Sequence, residues 1–134
     1  MARVDGDAVS LAAALYDLGI RLAQLGRHQD GVAAAEEAVD LWRPLARDNP
    51  GHQPDLAFAL HNLGNHLALL GRFQDGVAAA EEAVDLWRPL AQDNPGQYRE
   101  IYNRSLAELR RNLALHGQES ASIWLHLDDS SDHD

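Results

Sequence analysis

The sequence predicts an all-α protein made of stacked helix hairpins, with two full units and an incomplete third. The 26-residue stretch from Gly26 to Gly51 recurs 45 residues later, from Gly71 to Gly96, with only His28/Phe73 and Arg47/Gln92 exchanged. A fixed period of this size marks a stack of like supersecondary units. Leucines recur at spacings of four, three, four and three, the period of one helix face. The apolar fraction of 46% is mostly Ala and Leu, and aromatic residues make up only 6%, a balance that favours helix over strand.

Taken in order, Met1 to Asp7 is a polar start expected to fray, with Asp7 or Ser10 as candidate caps of the first helix. Leu11, Leu15, Leu18, Leu22 and Leu25 form one face of that helix, and Gly26 ends it. Gln29, Asp30 and Gly31 open a second helix with Val32, Ala35, Ala38, Val39, Leu41, Trp42 and Leu45 on its apolar face. On the other face, Asp40 and Arg43 are three apart and can pair. Pro44 lies inside this helix, where it removes a donor and crowds the preceding turn, so a kink or break is expected there. Asp48-Asn49-Pro50-Gly51 is a stop and turn.

The pattern then restarts. Leu56, Leu60, Leu63, Leu67 and Leu70 mark a third helix, ended by Gly71. A fourth runs from about Gln74 to Gln92, with Pro89 repeating Pro44, and Asp93-Asn94-Pro95-Gly96 is the second turn. The third copy drifts by one inserted residue. Tyr98 to Leu115 reads as a fifth helix with Leu106, Leu109 and Leu113 on its face. Glu119 to Leu127 is expected as a short sixth helix, before an acidic, disordered tail over 128–134.

Composition excludes several functions. Without cysteine there is no disulfide, thiolate metal site or cysteine nucleophile. The formal charge is −10 and all eleven basic residues are Arg, which argues against nucleic acid as a partner. The apolar run from Ala8 to Leu25 is interrupted by Asp17 and Arg21, so it reads as an amphipathic helix, not a membrane span or signal peptide. A cytoplasmic protein is expected. Histidines suggest a metal, but His61 and His66 are five apart, where one helix face wants three or four. Glu36-Glu37 and Glu81-Glu82 read as solvated faces, and no nucleophile or phosphate-binding motif is present. No enzyme activity, cofactor or metal is expected.

The hairpin unit resembles a known family. The second copy carries Leu60-x-x-Leu63-Gly64-x-x-Leu67, then Gly76-x-x-x-Ala80, then Pro95. The first carries Leu15-x-x-Leu18-Gly19-x-x-Leu22, then Gly31-x-x-x-Ala35, then Pro50. These positions resemble the tetratricopeptide repeat, in the long variant of about 45 residues found in bacterial and kinesin-light-chain-like arrays. The resemblance implies a single domain over 1–134, a right-handed helix-hairpin solenoid. Its first repeat spans about 9–50, its second about 54–95, and a capping half repeat 98–127. Leu replaces the family's first-helix aromatics, Gly its small Ala and Ala its Phe. Arg110 stands where the full units have Gly19 and Gly64, so the third unit is expected to pack differently.

In that family the first helices line a concave groove that holds a segment of a partner protein. Carried over by position, the groove residues are Ala13, Tyr16, Ile20, Ala23 and Gln24 in the first unit. In the second they are Phe58, His61, Asn65, Ala68 and Leu69. The contacts expected to matter most are Tyr16, Ile20, Gln24, Phe58, His61, Asn65 and Leu69. The two copies diverge most on these first helices, at Tyr16/His61, Asp17/Asn62, Ile20/Asn65 and Arg21/His66. The Lys-based clamp that some members close on a carboxylate is absent. The expected role is a non-catalytic scaffold that binds a protein or peptide. The alternative is self-association, because near-identical units invite homodimers, domain swapping or end-to-end stacking.

Overall fold

A computed structural model describes residues 2–115, with side chains described for 6–114. The expected sixth helix, its Trp124 and the acidic tail lie outside the described residues. Those residues form five α-helices and no strand: α1 (Ala2–Gln24), α2 (His28–Asp48), α3 (Gln53–Leu69), α4 (Phe73–Asp93) and α5 (Pro95–Leu115). A single 3-10 turn, Pro50–His52, links α2 to α3.

Each helix packs mainly on its neighbours in the chain, α1 on α2, α2 on α3, α3 on α4 and α4 on α5. The α1–α2 and α3–α4 loops are built alike. Gly26 and Gly71 adopt φ of 80° and 81°, the left-handed conformation that ends a helix without a Cβ penalty. The next amide, of Arg27 or Arg72, donates back to the carbonyl of Leu22 or Leu67. Each arginine then pairs with an aspartate three residues on, Arg27 with Asp30 and Arg72 with Asp75.

The hairpins close on glycine. A Cβ on Gly19 would lie 3.2 Å from the Gly31 carbonyl oxygen, and one on Gly64 would lie 3.1 Å from that of Gly76. Gly31 also faces Ala23, and Gly19 faces Ala35, so α1 and α2 run antiparallel with their backbones in near contact. The α3–α4 crossing repeats this at the 45-residue offset, through Gly64, Gly76, Ala68 and Ala80. Small residues at these four places allow the close approach.

One apolar core runs from Ala12 on α1 through Val39, Trp42, Leu60 and Leu63 to Trp87 on α4, and Tyr98, Ile101 and Tyr102 of α5 join it. A second cluster, Val77, Val84, Leu106, Leu109 and Leu113, fastens α5 to α4. Leu56, Leu60, Leu63 and Leu67 are all buried because α3 lies between α2 and α4. The same register on α1 has no helix before it among the described residues. Leu11, Leu18 and Leu25 are therefore 52%, 46% and 74% exposed.

Four local expectations need correction. First, α1 begins at Ala2, so Asp7 and Ser10 lie inside the helix and do not cap it. Second, of the kink or break expected at Pro44 and Pro89, the break does not occur, and α2 and α4 continue through both. Both prolines and the residues four before them, Asp40 and Asp85, are exposed, so the turn that loses a hydrogen bond faces solvent. Third, α5 begins at Pro95, not Tyr98. Proline suits a first helical position because its missing N–H would be unpaired there, and the Asn94 side chain accepts from the Gln97 amide at 3.3 Å. Fourth, Arg43 does not spend its hydrogen bonds on Asp40. Its guanidinium grips both carboxylate oxygens of Glu82, one at 3.0 Å, tying α2 to α4. Arg88, the twin of Arg43, makes the short-range contact instead, 3.3 Å to Asp85.

Candidate functional site: a pocket between the first helices

α1 and α3 separate enough to leave an open pocket of about 250 Å³ between them. Ala13, Tyr16 and Asp17 of α1 form one wall, Asp55 and Phe58 of α3 the other, and Trp42 of α2 also lines it. The pocket follows from a difference between the copies. Phe58 packs edge-on against Trp87, with ring centroids 4.7 Å apart. The twin of Phe58 in the first unit is Ala13, whose methyl group cannot fill the volume of a ring, so the pocket opens beside the buried Trp42. His52, with its ring centroid 5.5 Å from that of Trp42, packs against it and reaches Asp55 at 3.3 Å.

Charge in the pocket is negative. Asp17 is exposed and has no ion-pair partner among the described residues. Burial raises the pKa of the Tyr16 phenol above its ordinary value, and the neighbouring Asp17 carboxylate raises it further. Tyr16 is therefore a neutral hydroxyl at physiological pH.

Of the groove residues expected from sequence, Ala13, Tyr16 and Phe58 meet in this pocket. Ile20 is half-buried further along α1, with Gln24 exposed beyond it. Asn65 and Leu69 are exposed further along α3. These four are not part of the pocket lining. His61 faces α5 and not an open groove. The Ser105 hydroxyl lies 3.1 Å from its Nδ1, and Glu108 Oε1 lies 3.5 Å from its Nε2. Burial lowers the pKa of His61; Glu108 opposes the shift and Arg104 adds to it. In the neutral ring, Ser105 donates to Nδ1 and Nε2–H points at the carboxylate, one arrangement that uses both nitrogens. Serine, histidine and glutamate are thus adjacent, but Ser105 is only 2% exposed. The trio works as a polar rivet between α3 and α5.

Sequence reasoning missed Asp17, Trp42 and Asp55 as lining residues. The available signal was the Ala13/Phe58 difference, which leaves space beside one buried tryptophan and fills it beside the other. Nothing local marks Ser105 as a partner of His61, 44 residues away.

Among the described residues no group of three or more His, Asp or Glu side chains is arranged to hold a metal, and no helix is long and apolar enough to cross a membrane. No family model matches the chain, and no curated protein is similar to it.

Proposed function

We propose that this chain is a tetratricopeptide-like array, a right-handed solenoid of two full units and a cap, whose first helices hold a segment of another protein. The role is that of a non-catalytic scaffold. The observation that carries the reading is the pocket between α1 and α3, walled by Tyr16 and Phe58 on the faces where the two copies differ. The duplicated α2 and α4 support it from the other side. Their sequences are nearly the same, and their glycine crossings repeat at the same offset. Sameness there sets the spacing of the units, and divergence on α1 and α3 is what would distinguish one partner from another.

The test uses Tyr16→Ala combined with Ile20→Ala, two half-buried residues outside the glycine crossings. Capture of partners from the native host should fall several-fold while far-UV helicity is unchanged. Undiminished capture by a fully helical double variant refutes the groove.

One observation favours a second reading, self-association: the exposed leucine stripe Leu11, Leu18 and Leu25. Its register is the one that α3 buries against the preceding hairpin, so a second copy laying its own α1 across the stripe would cover apolar surface on both chains. Sedimentation at high concentration should then show a dimer that Leu18→Glu dissociates. A single species of about 14.7 kDa would exclude it.

A further inference from the structure

The geometry points to a specific occupant for the pocket: the side chain of an arginine carried by a basic segment of the partner. This rests on the groove reading and adds the chemistry of what the groove accepts.

Size is the first argument. About 250 Å³ is below the ~300–1,000 Å³ typical of small-molecule sites, but it is ample for one long side chain. Lining is the second. Half-buried Tyr16 and exposed Phe58 offer aromatic surface from two different helices, with the buried Trp42 also lining the pocket, and a guanidinium is attracted to aromatic faces within about 6 Å. Charge is the third. Asp17 and Asp55 stand on opposite walls, and Asp17 has no cationic partner among the described residues. A planar guanidinium can stack on a ring and still donate in its own plane to a carboxylate, whereas the ammonium of lysine has no plane to stack and is more strongly hydrated. The chain as a whole carries −10, so a basic segment is also drawn towards it from a distance.

The site is particular to the first junction. At the second, Phe58 covers Trp87, Asn62 replaces Asp17, and His61 is tied to Ser105 and Glu108. One array therefore presents one arginine site. The rest of the bound segment would run on past Ile20 and Asn65.

The test is a nuclear magnetic resonance titration of the ¹⁵N-labelled protein with three blocked pentapeptides, Ser-Leu-Xaa-Leu-Ser. Xaa is arginine, its neutral isostere citrulline, or glutamate. The arginine peptide should give saturable shifts at Tyr16, the Trp42 indole and Phe58, and should bind at least about fivefold more tightly than the citrulline peptide. The glutamate peptide should bind most weakly. Asp17→Asn with Asp55→Asn should bring arginine down to the citrulline level. Asp17→Asn alone, at an exposed position, should remove part of the difference and serves if the double variant does not fold. Glu36→Gln with Glu37→Gln changes the net charge equally on the outer helix and should preserve the preference. If that outer pair abolishes the preference as fully as the pocket pair does, the attraction is diffuse and the assigned site is wrong. Equal binding of all three peptides at the pocket overturns the arginine assignment and leaves the groove reading standing. No saturable shift at the pocket with any peptide overturns both.

Discussion

Trp87→Ala should destabilise the protein by about 3–5 kcal/mol, the range for deleting a large aromatic from a closed core. Trp87 is fully buried, with Phe58 edge-on at 4.7 Å and the Tyr98 ring at 5.8 Å. Its rings join α3, α4 and α5, so the cavity left behind would open at the junction of three helices. Trp42 occupies the equivalent place in the first unit, but one side of it borders an open pocket. Water can enter the space that Trp42→Ala vacates, and neighbouring side chains can relax into it. Its cost should be smaller. Urea unfolding of both variants measures the difference, and a larger loss for Trp42→Ala would mean that the two tryptophans have been assigned opposite roles.

The second large effect concerns acid. His66 is buried on α3, and neither ring nitrogen has a hydrogen-bond partner among the described residues. Nδ1 of the nearby His28 is buried without a partner as well. Burial lowers the pKa of His66 below its ordinary value, and the positive charge that His28 can carry lowers it further. His61 is shifted in the same direction, chiefly by burial. A histidine with a depressed folded-state pKa binds protons more readily when the chain is unfolded. Stability is therefore greatest above the ordinary histidine pKa of about 6.5 and falls as the pH drops through that value towards the folded-state pKa values. Each tenfold loss of proton affinity on folding contributes about 1.4 kcal/mol to that fall.

His66→Leu removes the titrating ring and two orphaned polar atoms together. It should stabilise the fold by about 1–3 kcal/mol at neutral pH, the usual cost of an unsatisfied buried polar group. It should also flatten the decline in Tm between pH 7.5 and pH 5.5. Wild-type stability that is constant across this window would contradict the burial argument.

Much of the helix plan is legible in the sequence. The leucine spacing and the glycines at 26 and 71 mark where α1 and α3 run and stop, because both are local properties of the chain. Errors arise where local chemistry is overridden. The start of α1 is polar and offers Asp7 and Ser10 as caps, yet the helix continues back to Ala2. Pro44 looks like a breaker only while its surroundings are unknown, and exposure on the outer face makes it tolerable. Pro95 reads as part of a turn because it repeats the Asp-Asn-Pro-Gly motif of Pro50, yet Pro50 opens a 3-10 turn while Pro95 opens α5 directly.

The candidate site is legible in part. Position in the repeat groups Tyr16 and Phe58 on the first helices, and both line the pocket. The contributions of Trp42, Asp17 and Asp55 depend on how far α1 and α3 splay, and no spacing along one helix encodes that. His61 shows the limit from the other side. Its helical position places it with the groove residues, but Ser105 and Glu108 of α5 tie it down, and they lie more than forty residues later.

The central claim is that partners meet the divergent first helices and not the duplicated second ones. A photo-activated benzophenone side chain placed at Ala13, on the pocket wall, tests this against the same group at Ala33, exposed on α2. Irradiation in the native host extract should give a discrete cross-linked product from position 13 that Tyr16→Ala with Ile20→Ala abolishes, and no matching product from position 33. The same product from both positions, or one from position 33 alone, would contradict the account.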